Sequence, residues 1–243
     1  MFIGLLFFTA PVLEKVYFQT QIAAMFFFDL DEVLFIVWDY PMSFIELFGT
    51  LTGLITVWLA ARNNIYTWPF SLINVTSFFI IFWQVQLYAD MLLQLYFFAM
   101  SIYGWIFWYR QKDKIEKLRI LNSKTILISV ILIVISVYLL GVLISNIHLY
   151  YPSVFEKPAA YPYWDAFTSV LSIVASVWMA RRIIESWILW ILVDIVAIAL
   201  YFLKGIKLVS IEYIIFLLMS TYGLIIWIVE YKRELKELHE KLH

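Results

Sequence analysis

The sequence predicts an all-α integral membrane protein with seven transmembrane helices in a 3+1+3 parallel-repeat arrangement. Composition is the first reason: 64% of the 243 residues are hydrophobic and only 14% are charged, whereas soluble domains run near half apolar and a quarter charged. Segmentation is the second. Apolar runs close to the span of a bilayer core lie at roughly 43–61, 65–84, 87–109, 125–147, 164–180, 184–203 and 208–230. The third is an internal likeness between the first three runs and the last three.

Residues 1–40 read as an N-terminal peripheral or half-inserted segment. Met1–Leu13 is apolar but too short to span, and Glu14–Lys15 interrupts it before Val16–Phe28. A signal-like reading of this stretch is weakened because no basic residue precedes the apolar run and no small-x-small cleavage site follows. Residues 41–110 form the first three-helix repeat, with Ser43 opening its first helix and Glu46 placed as a cap or surface carboxylate. Gly49-Thr-Leu-Thr-Gly53 permits close helix approach. Residues 111–150 hold a basic loop and a linker helix, 151–231 the second repeat, and 232–243 a charged helical tail expected in solvent.

Connections within each triplet are a few residues long, which suits antiparallel neighbours. Lys and Arg then divide 13 to four between the two sides: Arg62, six residues in 110–124, Arg181, Arg182 and four in the tail against Lys15, Lys157, Lys204 and Lys207. The positive-inside rule places the richer side, and with it the carboxyl terminus, in the cytoplasm.

The repeat is visible in ordered matches. Val57-Trp58-Leu59-Ala60-Ala61-Arg62 answers Val177-Trp178-Met179-Ala180-Arg181-Arg182 at an offset of 120. That offset sets Phe70 opposite Trp190 and Asn74 opposite Asp194. Ser101-Ile102-Tyr103-Gly104 answers Ser220-Thr221-Tyr222-Gly223. Three helices would invert the second copy, and the helix at 125–147 restores parallel orientation. Transporters of this plan place substrate near the midplane between repeats.

The candidate site centres on Asp194, near the middle of an apolar helix. A carboxylate there costs about 2.5–3.5 kcal/mol on insertion scales and marks a functional position by default. Trp187, Trp190 and Asp194 share one helix face that Tyr201 continues, offering aromatic surfaces and one acceptor to a small aromatic solute. The competing reading makes the tryptophans an interfacial belt and lets Asp194 bond a neighbouring helix. Asn74, with Phe70 one turn away, is either a paired site residue or interhelical glue. Gln84 sits at the outer end of its helix, and Gln94 is a turn deeper than Asp90, where its amide needs a partner.

Several classes are excluded or disfavoured. No cysteine is present, so no disulfide or thiolate metal site is available. A net charge of −1 argues against nucleic acid. No zincin, nucleophile-elbow or P-loop motif occurs, and no metal or cofactor is expected.

Phe82-Trp83-Gln84, then Leu87-Tyr88-Ala89-Asp90-Met91 and Gln94, then Tyr103-Gly104-Trp105, and Ser186 to Asp194 followed by Tyr201-Phe202-Leu203-Lys204-Gly205 resemble the PnuC-type nicotinamide riboside transporters of the Pnu vitamin-transporter family. The resemblance covers about residues 40–232. It implies a SWEET-like seven-helix bundle assembled as a homotrimer in the bacterial inner membrane. It also implies import of nicotinamide riboside, an NAD precursor, by facilitated diffusion, with a cytoplasmic kinase trapping the product. Relatives of that fold carry thiamine, riboflavin or deoxynucleosides, and these remain alternatives; a membrane-embedded enzyme or receptor is a further one. A cationic pyridinium suits aromatic faces by about 0.5–2 kcal/mol, and Asp194 with the Asn and Gln amides suits its charge, carboxamide and ribose.

Overall fold

The computed structural model describes residues 27–37, 40–84, 88–113, 117–151, 158–203 and 207–242. Residues 1–26, which carry most of the expectation of a half-inserted or signal-like segment, lie outside that set, as do Lys157 and Lys204. The described chain forms β1 (Val33–Val37), β2 (Tyr40–Ser43), α1 (Phe44–Ala61), α2 (Thr67–Gln84), α3 (Tyr88–Arg110), α4 (Ser123–Tyr150), α5 (Pro162–Ala180), α6 (Ser186–Leu203) and α7 (Lys207–Leu242).

The helical runs fall where the apolar runs placed them. The β-hairpin was not expected. Val33-Leu34-Phe35-Ile36-Val37 is β-branched and aromatic, a composition that favours strand over helix. It pairs antiparallel with β2 from Val33 opposite Ser43 to Val37 opposite Tyr40, with an irregularity between Val33 and Phe35. Ser43 then closes a capping box with Glu46: its hydroxyl accepts from the Glu46 amide, and the Glu46 carboxylate accepts from the Ser43 amide at 2.9 Å. Two orphan donors at the start of α1 are thereby satisfied. Tyr40 donates its phenol to Glu46 at 2.6 Å, and burial together with that carboxylate pushes the Tyr40 phenol well up, so it stays a donor.

Among the described residues, five helical segments are long and apolar enough to cross a membrane: α1, 90–110 of α3, α4, α6 and 209–241 of α7. The other two helices carry more hydroxyls and amides, and several of those are turned toward protein. Ser71 and Ser101 share a 2.7 Å hydrogen bond between α2 and α3. Tyr96 of α3 donates at 3.0 Å to the Ile173 carbonyl of α5. Helices with a polar inner face read as less hydrophobic without being less suited to the interior of a membrane bundle.

Sequence neighbours pack against each other in α1–α2–α3 and in α4–α5–α6–α7, while α1 also packs on α7 and α3 on α5. Gly49 lies against Phe78 and Ser77, and Gly53 against Asn74, so the G-x-x-x-G pair seats α2 on α1. The chain turns sharply twice at the basic end of the bundle, after α1 and after α5. The turns share one hydrogen-bond pattern: Asn63 N to Ala60 O and Trp68 N to Ile65 O in the first, Arg182 N to Met179 O and Trp187 N to Ile184 O in the second. Each holds one non-glycine residue at positive φ, Asn63 at 50° and Arg182 at 57°, a conformation that costs a side chain of Arg size energy.

These turns set the core. Trp68 lies across Gly104, and Trp187 lies across Gly223, where an added Cβ would come within 2.7 Å of the indole. All four described tryptophans of this layer (Trp68, Trp108, Trp187 and Trp227) are at most 6% exposed. Gly223→Ala is therefore expected to overpack the layer and lower stability by about 1–3 kcal/mol. Thermal unfolding of the detergent-purified protein checks it, and an unchanged transition would show that Trp187 shifts freely.

Candidate functional site

Spacing placed Trp187, Asp194 and Tyr201 on one face of α6, and that face is turned toward α7. Trp187, 1% exposed, meets Trp227 edge to face at 5.5 Å. Asp194, 3% exposed, accepts a 2.8 Å hydrogen bond from the Ser220 hydroxyl. Tyr201 stacks on Tyr213 with centroids 5.4 Å apart. The seven-residue spacing of the three is that of a helix–helix seam, and α7 answers with Gly223, Ser220 and Tyr213. Trp190 stands apart from it: half-buried, it packs on both apolar clusters, the one holding the other indoles and the one formed by Leu171, Ala175, Leu189 and Val193. Trp190 and Asp194 are one helical turn apart on α6.

The partner expected for Asp194 is not where the sequence match put it. The matching turns align Trp68 with Trp187, one residue short of the offset drawn from Val57–Arg62. In that register Val75 takes the place of Asp194, and Ser71 that of Trp190. Asn74 donates to the Gly49 carbonyl at 2.8 Å and lies against Gly53, so it joins α2 to α1. In this register the residue of the first half that answers Asp194 is Val75 rather than Asn74. Phe70 is half-buried on α2.

Gln84 is drawn to the end of the bundle opposite the basic one. Its amide donates to the Phe28 carbonyl at 2.7 Å and accepts from the Leu30 amide at 3.3 Å, tying the chain before β1 to the end of α2. Gln94 is half-buried on α3, two turns from Ser101. Sequence reasoning passed over the serines. Ser220 holds Asp194, and Ser101 occupies the same place in the first half; both head the matched segments 101–104 and 220–223, whose likeness marked them as part of the repeat without giving the serines a role.

The basic end holds a second concentration of buried polar groups. Arg182 is 4% exposed, with its guanidinium 4.3 Å over the Trp108 ring. Burial pulls it down to about 10, against the opposing pull of Glu234 and Glu230, so it stays charged at neutral pH. The charged tail is not wholly solvated as expected: Glu234 is buried and accepts from the Lys117 and Leu118 amides at 3.0 and 3.1 Å. No cluster of three or more His, Cys, Asp or Glu side chains suited to a metal occurs among the described residues.

Comparison with known proteins bears on what this arrangement serves. A family model described as nicotinamide mononucleotide transporter matches residues 43–229. The nicotinamide riboside transporter PnuC of Escherichia coli (strain K12) is 37% identical over 207 residues, covering 78% of this chain and 87% of its own. The riboflavin/roseoflavin transporter RibM of Streptomyces davaonensis is 26% identical over 212 residues, covering 87% and 97%. A crystal structure of the vitamin B3 transporter PnuC superposes with a TM-score of 0.58 at 27% identity, covering 80% of this chain and 84% of that one.

Asn74→Ala should lower stability by about 0.6–1.7 kcal/mol, the range of interhelical polar contacts in bilayers, and leave ligand affinity per folded molecule unchanged. Unfolding and calorimetric titration on the same preparation check both. A specific loss of affinity would return Asn74 to the site.

Proposed function

The chain belongs to the nicotinamide mononucleotide transporter family, that of the PnuC-type nicotinamide riboside transporters, and from that premise we propose that it imports nicotinamide riboside across the bacterial inner membrane. The observation that carries the reading is Asp194. It is buried in the middle of an apolar span, held by one serine hydroxyl, one turn from the half-open ring of Trp190. A pyridinium stacked on that indole gains about 0.5–2 kcal/mol, and the carboxylate adds attraction for its charge or accepts from a ribose hydroxyl. Trp187 and Tyr201 floor the site from the seam. Gln94 and Phe70 border it from the first half, and Gln84 stands at its outer rim.

In this reading α1–α3 and α5–α7 are duplicated parallel units, with α4 as the linker of a 3+1+3, SWEET-like plan. The reciprocal packing of α1 on α7 and α3 on α5 supports it, because a two-fold axis maps one contact onto the other. Rocking of the two units exposes the site alternately to either side. The end bearing Arg62, Arg110, Arg181 and the carboxyl terminus faces the cytoplasm. Transport runs down the gradient, since Asp194 pairs with a serine rather than with a Lys or Arg that could couple an ion. A cytoplasmic kinase then traps the product. The long face of α4, exposed along nearly its whole length, serves lipid and the neighbours of a homotrimer.

RibM supports one alternative, a riboflavin carrier of the same fold. Competition between nicotinamide riboside, riboflavin and thiamine for purified protein separates the cargoes. Trp190→Ala is expected to cut affinity for nicotinamide riboside by about tenfold or more, equivalent to about 1.4 kcal/mol, with assembly intact. Asp194→Asn should weaken the cationic riboside more than neutral riboflavin, by titration of both. In proteoliposomes, uptake should stop at equal concentrations inside and out, and accumulation beyond that without a kinase would end the facilitated-diffusion reading.

A further inference from the structure

The basic end of the bundle is closed by more than packing. Trp108 of α3 donates its indole N–H to the Ala180 carbonyl of α5 at 3.2 Å, and Trp227 of α7 donates to the Ala60 carbonyl of α1 at 3.0 Å. Each bond crosses from one three-helix half to the other, and both indoles are fully buried. The acceptors are carbonyls in the last turn of α5 and α1, where intrahelical partners run out; Ala60 also accepts from the Asn63 amide of the following turn at 2.9 Å. The rings continue as one row: Trp68 meets Trp108 edge to face at 5.2 Å, Trp108 lies 6.1 Å from Trp227, and Trp227 meets Trp187 at 5.5 Å. That row crosses the boundary between the halves.

A loop seals it. Leu118, in the basic loop after α3, is fully buried in the same cluster as the four indoles. Its segment is stitched down at three points. Glu234 of α7 accepts from the Lys117 and Leu118 amides. Arg119 donates its amide to the Arg182 carbonyl at 3.0 Å and accepts from the Ile184 amide at 2.9 Å. Glu185 accepts from the Leu121 amide at 2.9 Å. A loop of this charge, if it only linked helices, would sit in water; here its one fully buried leucine fills the end of the bundle.

We propose that Leu118 and the four-indole row form the inner gate, and that Glu234 is the latch that keeps it shut. Opening breaks two indole–carbonyl bonds and lifts Leu118, while the pairs within each half (Trp68 on Gly104, Trp187 on Gly223) are retained. Glu234 suits a latch because it holds the loop by a carboxylate on two backbone amides, a strong but readily re-formed contact. What passes the gate rests on the transport reading above; where the gate lies does not.

The test uses the chain's lack of cysteine. Ser186, fully buried at the start of α6 beside Glu185, is replaced by cysteine as a near-isosteric reporter. The full-length protein is placed in proteoliposomes with the carboxyl-terminal side outward, and labelling by a membrane-impermeant maleimide is timed. The Ser186→Cys parent should label slowly, and adding Glu234→Ala or Leu118→Ala should speed labelling by about tenfold or more, as for loss of a charged hydrogen bond or a buried side chain. Glu234→Gln carries the latch test if the alanine variant is not monodisperse. Fast labelling of the parent, or unchanged labelling in folded variants whose thermal transitions alone fall, overturns the proposal. No substrate is needed, so a wrong cargo leaves the result readable, and a failed gate leaves ligand competition untouched.

Discussion

A helix that ends inside a membrane protein leaves its last carbonyls without partners, in a place where water is scarce and each unmet group is expensive. Here the carbonyl of Ala180 is met by the Trp108 indole N–H from the opposite half of the molecule, and that of Ala60, which already accepts from the Asn63 amide in the turn, takes a second bond from the Trp227 indole. That exchange fixes where α1 and α5 stop and how deep Trp108 and Trp227 sit. It also holds the two halves in register at the basic end. The sharp turns follow from it, since a chain that stops there must reverse within a few residues to begin α2 and α6. The positive φ of Asn63 and Arg182 is the local cost of doing so.

Other polar groups are satisfied within a half in some places and across the boundary in others, as where Tyr96 of α3 bonds the Ile173 carbonyl of α5. Asn74 with Gly49 and Ser71 with Ser101 lie in the first, and Asp194 with Ser220 lies in the second. The halves are also chemically unequal. Where the second half has Trp190 and Asp194 on α6, the first has Ser71 and Val75 on α2. In the proposed transport reading, a ligand with a charged ring and a neutral sugar would therefore meet an aromatic, acidic wall from only one side.

Most of the architecture could be read from the chain because lipid imposes a strong length rule, and all seven helices begin close to where their apolar runs begin. The shared face of Trp187, Asp194 and Tyr201 followed from periodicity alone. Its direction did not, because periodicity states which residues are aligned but not which helix they meet. The offset error had a similar source. Val57–Arg62 and Val177–Arg182 match in letters one residue away from the alignment of their hydrogen bonds, which follows instead the spacing between Ser101 and Ser220. The buried Glu234 was missed because a charged stretch reads as solvated unless something nearby needs its charge, and the two backbone amides it serves are remote in sequence. The hairpin was lost among residues whose apolar content pointed to a membrane contact rather than to strand pairing.

Site and gate share one seam, and this gives the proposed cycle a physical coupling. Trp187 belongs to the indole row, and Asp194 lies seven residues further along α6, about 10 Å at the helical rise. Both rest on α7, against Gly223 and Ser220. A ligand that draws Asp194 away from Ser220 removes a bond between α6 and α7 two turns from the point where Trp187 meets Trp227. Whether occupancy favours opening or closing depends on which state leaves Asp194 freer to bind, since a ligand shifts an equilibrium only by its difference in affinity for the two states. A carrier that moves solute down its gradient needs only that this difference be small, so that loaded and empty forms both cross. The serine partner suits that need: a single hydroxyl bond holds the carboxylate when the site is empty and yields at modest cost when a cation arrives, whereas a buried Lys or Arg partner would make the empty state too stable to displace.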